Sequence, residues 1–490
     1  MEPIGHHRKM IWGTCSRRDF LAGAGGAVVG GSLLVDVLAG TETVGGRRIA
    51  PAGPASKYTP SLKVAFVRRK GEYGMRWPGQ IYDGAAALQT YRRDIEKTAA
   101  DLGIKVAIAP APIHSLDEAN QWVTEAQAER PDGLLVVLLD RQEHAWPTAA
   151  KAIDSKIPTV VFAPVGAAFT TNTWALAAKE GAFICSTNQF DQVAYGMKMI
   201  RAGAKLRETR YIVLKGSERK DAQIKSVGTK LRYLPAKVFL DAYQETPVTD
   251  EIRQIAAEYI RNAVRLAGPT EQDVINGVKS YVVARNILER EEGDGITMDC
   301  LGALGKTKVS LPCIAWSRML DHGVPAACEA DLNAAVTHAL VQYLFDRPGF
   351  QQDPVPETAR DCLIGAHCTC PTRLNGFARP AEPYDLSHHH GKRDAVPRPT
   401  WREGQRVTVA QVALGNSPDA RPQMYISTGS VVENVAVPPS GGCVVSVMVK
   451  LDGVSDYLAY PGFHQVFFYG DYKKALCAYC RLFHIQPLVV

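Results

Sequence analysis

Three short segments in the second half of the chain gather the side chains that do acid–base and metal chemistry. In Ala327-Cys328-Glu329-Ala330-Asp331-Leu332-Asn333 an apolar, strand-like approach delivers two carboxylates to the start of a helix. Acids in a first helical turn also serve as caps and complement the macrodipole, so this segment has a purely structural use as well. The loop Gln352–Glu357 carries Asp353 and leads through Asp361 to Gly365-Ala366-His367-Cys368, where a histidine between small residues stands at a strand end. It either faces a cleft or is hydrogen-bonded in the core. In the run from Pro461 to Gly470, His464 opens a strand that ends in a glycine turn. Two carboxylates and one or two neutral imidazoles, with positions left for substrate oxygens, suit Mn²⁺ or a similar divalent ion. Such a site moves a proton next to a carbonyl. The ion holds a carbonyl and an adjacent hydroxyl oxygen while a carboxylate takes the carbon-bound proton, giving an enediol.

Other candidates are weaker. Arg76-Trp77-Pro78-Gly79 follows the first strand and offers a cation and an aromatic to a substrate face, or packs as a surface loop. His388-His389-His390 reads as a solvated loop with some capacity for metal. Cys368 and Cys370 form a CxC, and Cys477 and Cys480 a lone CxxC on a helix over Asp471–Phe483, where the two positions share a face. Both cysteine pairs read as core residues rather than as a paired zinc motif.

The elements that must position these residues alternate. Lys63–Arg68, Lys105–Pro110, Gly133–Asp140, Thr159–Ala163 and Arg210–Lys215 read as strands, separated by helices that include Tyr82–Leu102, Ser115–Glu129 and Asp191–Ala204. The run GLLVVLLD is apolar almost throughout, the pattern of a parallel strand buried on both faces. This predicts a doubly wound α/β domain over residues 61–215. A central α/β domain follows over 216–395, with helices at Thr249–Leu266, Glu271–Arg290 and Leu332–Phe345. After a proline- and charge-rich bridge, Lys392–Arg402, residues 396–490 read as β-rich, with strands at Arg406–Val412, Gln423–Thr428, Gly442–Val449 and Gln465–Tyr469 before the closing helix.

The chain begins with a separate signal. Ser16-Arg17-Arg18-Asp19-Phe20-Leu21 followed by a glycine-rich apolar stretch from Ala22 to Ala39 has the form of a twin-arginine export signal, expected over residues 1–45 with a linker over 46–60. That segment is too rich in glycine for a stable span, and it implies passage through the twin-arginine translocase to the periplasm or another exported location. The formal charge is +6 over 490 residues, which is no nucleic-acid footprint. Eleven cysteines are many, but a chain exported after folding keeps buried thiols out of reach of an oxidising destination.

In order and motif the chain resembles the L-fucose isomerase and L-arabinose isomerase family. Glu329-Ala330-Asp331-Leu332 is similar to the family's Ala-Glu-Gly motif, and Asp353 lies at a separation similar to that between the family's two metal-binding acids. Gly365-Ala366-His367 resembles the Gly-Ala/Ser-His of the arabinose branch, and Gly462-Phe463-His464 through Gly470 the closing histidine strand and final helix of both branches. The likeness spans about residues 60–490 in architecture, with its motifs confined to roughly 295–375 and 455–490. It implies two Rossmann-like α/β domains and a β-rich, barrel-like C-terminal domain. It also implies a monosaccharide substrate, Mn²⁺ held by Glu329, Asp353, His464 and His367, and Glu329 and Asp353 as the proton-transferring pair. A trimer or hexamer follows from the same resemblance, with Arg76 and Trp77 closing a site between subunits. Where the arabinose branch has Glu-Gly-Asp-Trp this chain has Glu-Ala-Asp-Leu, and Asp299 and Asp331 compete with Asp353 as the second acid. A second class of function is an exported sugar-binding protein without turnover, since residues 60–215 alone also fit a lobe of a periplasmic binding protein.

Overall fold

The computed structural model describes residues 47, 49–71, 74–76, 81–141, 143–389, 393–415, 417, 420–436 and 443–490. The expected export signal, Trp77 and His390 lie outside the described residues. Among the described residues no helix is long and apolar enough to cross a membrane.

The first layer is a five-stranded sheet of β1 (Ser61–Val67), β2 (Lys105–Ile108), β3 (Gly133–Leu138), β4 (Thr159–Ala163) and β5 (Ala182–Ser186). Its order is β2-β1-β3-β4-β5 and every pairing is parallel. The apolar run at β3 explains its central position. Leu135 and Val137 join one buried cluster, while Leu134, Val136 and Leu138 join another on the opposite face. Helices close both faces because successive strand side chains point opposite ways.

A second sheet contains β6 (Arg210–Leu214), β7 (Lys220–Gln223), β8 (Lys230–Leu234), β9 (Gly295–Met298) and β10 (Ala326–Cys328) in the order β10-β9-β6-β8-β7. Four strands are parallel and the edge strand β7 is antiparallel. The strand at Arg210, expected to finish the first layer, is therefore the centre of the second. Its apolar residues Tyr211–Leu214 suit any strand covered on both faces, so the sequence pattern does not say which sheet takes it.

The C-terminal part is a closed six-stranded barrel. Its strands are β11 (Phe350–Glu357), β12 (Cys362–His367), β13 (Arg406–Ala413), β14 (Gln423–Asn434), β15 (Val445–Leu451) and β16 (Gln465–Tyr469), and pairing of β13 with β14 closes the ring. A short β17 (Gln486–Val489) adds parallel to β14. The barrel thus begins at Phe350, well before the bridge where the β-rich part was expected to start. The loop carrying Asp353 is in fact strand β11. Its Pro354 and Pro356 stand where only β12 still pairs with it, because β16 reaches only Phe350–Gln352, so the missing N–H groups face the open side.

Two further expectations change. The helix expected over Thr249–Leu266 stops at Asn262, and Arg265–Ala267 becomes a strand parallel to Tyr384–His389. The latter pairs antiparallel with Arg393–Pro399, inside the expected bridge. His388 and His389 are accordingly strand residues, with His389 buried and His388 Nδ1 3.2 Å from the Asp394 carbonyl. The apolar Leu386, Ala395 and Val396 draw this hairpin onto the core of the second layer.

Candidate metal centre

The carboxyl end of β10 delivers Glu329. The chain turns there through two consecutive left-handed residues, Glu329 at φ 61° and Ala330 at φ 53°. Ala330 N donates to the Met298 carbonyl at 2.9 Å, tying the turn to the end of β9. Asp331 then caps the Leu332–Phe345 helix, its Oδ1 accepting from Ala334 N at 2.8 Å. Left-handed non-glycine residues cost about 1–3 kcal/mol each and survive only where the surroundings over-determine them. Here helix, turn and two strand ends do so.

The barrel supplies the remaining groups. Cys328 N donates to Gln351 Oε1 at 2.9 Å, which fastens β10 to β11 and brings Asp353 alongside Glu329. His367 ends β12, and His464 stands just before β16 at φ 54° after Gly462 at φ 89°. Gln411 holds that turn through both amide ends, donating to the Phe463 carbonyl and accepting from Phe463 N.

These residues meet. His464 Nε2 is 3.1 Å from Asp353 Oδ1 and 3.6 Å from Glu329 Oε2, and His367 Nε2 is 3.8 Å from Glu329 Oε1. One ligand atom each from Glu329, His367 and His464 lies within 4.8 Å of the others, a group that could hold a metal ion. Both histidines are buried, whereas the side chains of Glu329 and Asp353 remain 36% and 32% exposed. The centre is therefore walled by imidazoles on one side and open to solutes along its carboxylates.

The chemistry of the donor set fits a divalent cation. His464 Nε2 and Asp353 Oδ1 are buried and make no well-formed hydrogen bond although they lie close together. Buried polar atoms left so are costly, and an ion between them would satisfy both. His464 Nδ1 is 2.9 Å from Asp331 Oδ2, which turns Nε2 toward the centre.

Electrostatics follow from this crowding. Burial alone would lower the pKa of His464, but Asp331 and Asp353 outweigh it and push it up to about 9. For Glu329, burial raises the pKa, the charge of His464 opposes this, and Asp353, Asp331 and Asp299 add to the rise. Burial would also raise Asp331, yet its hydrogen bond to His464 keeps its carboxyl below the usual range.

Of the residues singled out in the sequence, Glu329, Asp353, His367 and His464 are brought together. Asp331 is the partner of His464 Nδ1, a role the capping pattern alone does not reveal. Asp299 caps the Cys300–Leu304 helix, accepting from Gly302 N at 3.2 Å. Arg76 ends a short strand, Gly74–Arg76, paired with Ile81–Asp83. Phe463 was missed: it is 57% exposed, and its ring centroid lies 4.4 Å from that of His464. An exposed aromatic beside a candidate ligand is legible only once the strand start is known. In comparisons with known proteins the chain matches no protein-family model and no curated sequence.

Proposed function

We propose that this chain is a metal-dependent aldose–ketose isomerase of the L-fucose/L-arabinose isomerase type, with Mn²⁺ or a similar divalent ion at Glu329, Asp353, His367 and His464. The observation that supports this reading most is the meeting of Glu329, from the end of a parallel strand, with His464, from the last barrel strand. Carboxylates suit Mn²⁺, and imidazoles add ligands shared with zinc, iron and nickel. When bound, the ion draws electron density from a carbonyl and a neighbouring hydroxyl oxygen and makes the adjacent C–H more acidic.

The chain's own residues do the rest. Glu329 takes the proton from one carbon and returns it to the next, and its raised pKa brings the acid form closer to neutrality, as both halves of that transfer require. Asp353 faces the same His464 Nε2 as Glu329 and is the second acid. Asp331 fixes the imidazole of His464, and the exposed ring of Phe463 offers an apolar surface to the C–H face of a sugar. The substrate passes through an enediol.

The same proposal treats both α/β layers as doubly wound, Rossmann-like units and residues 1–45 as a twin-arginine signal. The mature chain is then an exported trimer or hexamer in which Arg76 and Trp77 reach a neighbouring subunit's site. The test is ketose formation from a panel of aldoses by the mature chain with Mn²⁺, together with exchange of the C2 proton in deuterated water. Both signals should vanish in Glu329→Gln. Activity retained in that variant, or no metal uptake by the wild type, rejects the reading. Tight sugar binding without C2 exchange points instead to an exported, non-catalytic sugar-binding protein.

A further inference from the structure

Beneath the metal centre lies a second group of side chains that the proposed reaction does not use. Cys300, Cys313 and Cys328 are buried in the core of the second layer, and Cys368 packs against that same cluster. Cys328 directly precedes Glu329 and Cys368 directly follows His367. The ten described cysteines are all thiols.

Cys368 and Cys443 are only partly buried, whereas Cys300, Cys313 and Cys328 are buried. The ladder between β12 and β15 is antiparallel, and its last pair is His367 with Val445. The residues just beyond that pair, Cys368 on one side and Val444 and Cys443 on the other, therefore run alongside each other. The Cys443 side chain lies close enough to the Cys368 thiol to disfavour its ionisation. The backbone of Cys443 is held in place as well, its carbonyl accepting from Ser446 Oγ at 3.0 Å.

We propose that Cys368 and Cys443 are a redox modification site, forming a reversible disulfide that clamps the end of β12 to the start of β15 beside His367. The oxidant is a small disulfide such as oxidised glutathione. One cysteine sulfur attacks it and releases one glutathione thiol; the second cysteine then displaces the other. One S–S bond is exchanged for another, and the two cysteine protons leave on the two glutathione thiols. The inference stands whether or not the neighbouring group holds a metal.

The test uses the full mature chain. It is incubated with oxidised glutathione, remaining thiols are blocked with N-ethylmaleimide, and a non-reducing digest is read by mass spectrometry. The expected result is a peptide pair joined through Cys368 and Cys443, lost on treatment with dithiothreitol. In Cys443→Ser and in Cys368→Ser the joined peptide pair should be absent. Maleimide on both Cys368 and Cys443 of the oxidised wild type, or a bond from either one to Cys313 or Cys328, overturns the proposal.

Discussion

Nδ1 of His464 and Oδ2 of Asp331 lie 2.9 Å apart, joining the last strand of the barrel to the first turn of the Leu332–Phe345 helix. The same carboxylate caps that helix through its other oxygen. One side chain thus does two jobs that substitution can separate. Asparagine caps about as well as aspartate but carries no charge to hold an imidazole. Asp331→Asn should therefore weaken divalent-metal retention about 10–100-fold, the usual effect of losing a partner behind a ligand, while keeping the helix cap. Asp331→Ala should lose about 0.5–2 kcal/mol of stability in addition. Chelator competition and thermal melts on the two variants measure the two effects apart.

The raised pKa of His464 sets a pH dependence. Its ordinary value of 6.5 rises to about 9 in the folded chain, so in the metal-free protein the protonated imidazole stabilises the fold. That contribution is complete below pH 6.5 and is lost as pH climbs through 9. A metal needs the neutral ring, so each ion bound must expel this proton. Apparent metal affinity should rise about tenfold per pH unit up to pH 9 and then level off. Titration calorimetry in buffers of different ionisation enthalpy counts the protons released; a flat affinity between pH 6.5 and 9 would remove His464 from the ligand set.

Much of this centre was legible before the fold was known, and the reasons differ by residue. Glu329 stood out because an apolar strand leads straight into acids at a helix start. His464 did so because a glycine, a histidine and a continuous run of apolar residues mark a strand opening. The position of Asp353 was legible and its setting was not, because prolines at 354 and 356 suggest a loop unless the neighbouring strand is known to have ended. The fold follows the same rule. Runs such as Gly133–Leu138 announce buried parallel strands, but the apolar residues of Tyr211–Leu214 fit the middle of either sheet, and only the pairing with β8 and β9 decides.

Gly365 tests how tightly the barrel supports His367. A Cβ there would meet Phe467 Cε2 at 2.5 Å, Phe467 Cζ at 2.9 Å and Gln352 Cγ at 3.1 Å. Phe467 has little room to yield, because it is buried among Phe350 and Trp401. Gly365→Ala should cost about 1–3 kcal/mol, the range for one methyl forced into a packed core. The urea midpoint should fall at unchanged slope. Metal retention should fall with it, since His367 lies two residues along the same strand.

Ala330 offers the opposite test, a substitution that should stabilise. Its φ of 53° lies in the left-handed region, where an L side chain costs about 1–2 kcal/mol and glycine does not. Glycine lets the chain reverse at the strand end while the glutamate keeps its aim. Part of the gain is returned through the larger conformational freedom of glycine in the unfolded chain, about 0.4–1 kcal/mol. Ala330→Gly should therefore raise stability by about 0.5–1 kcal/mol, read as a higher denaturant midpoint, with metal affinity unchanged. A loss of stability would mean that the left-handed turn at Glu329-Ala330 is absent in solution, and with it the placement of Glu329 opposite His464.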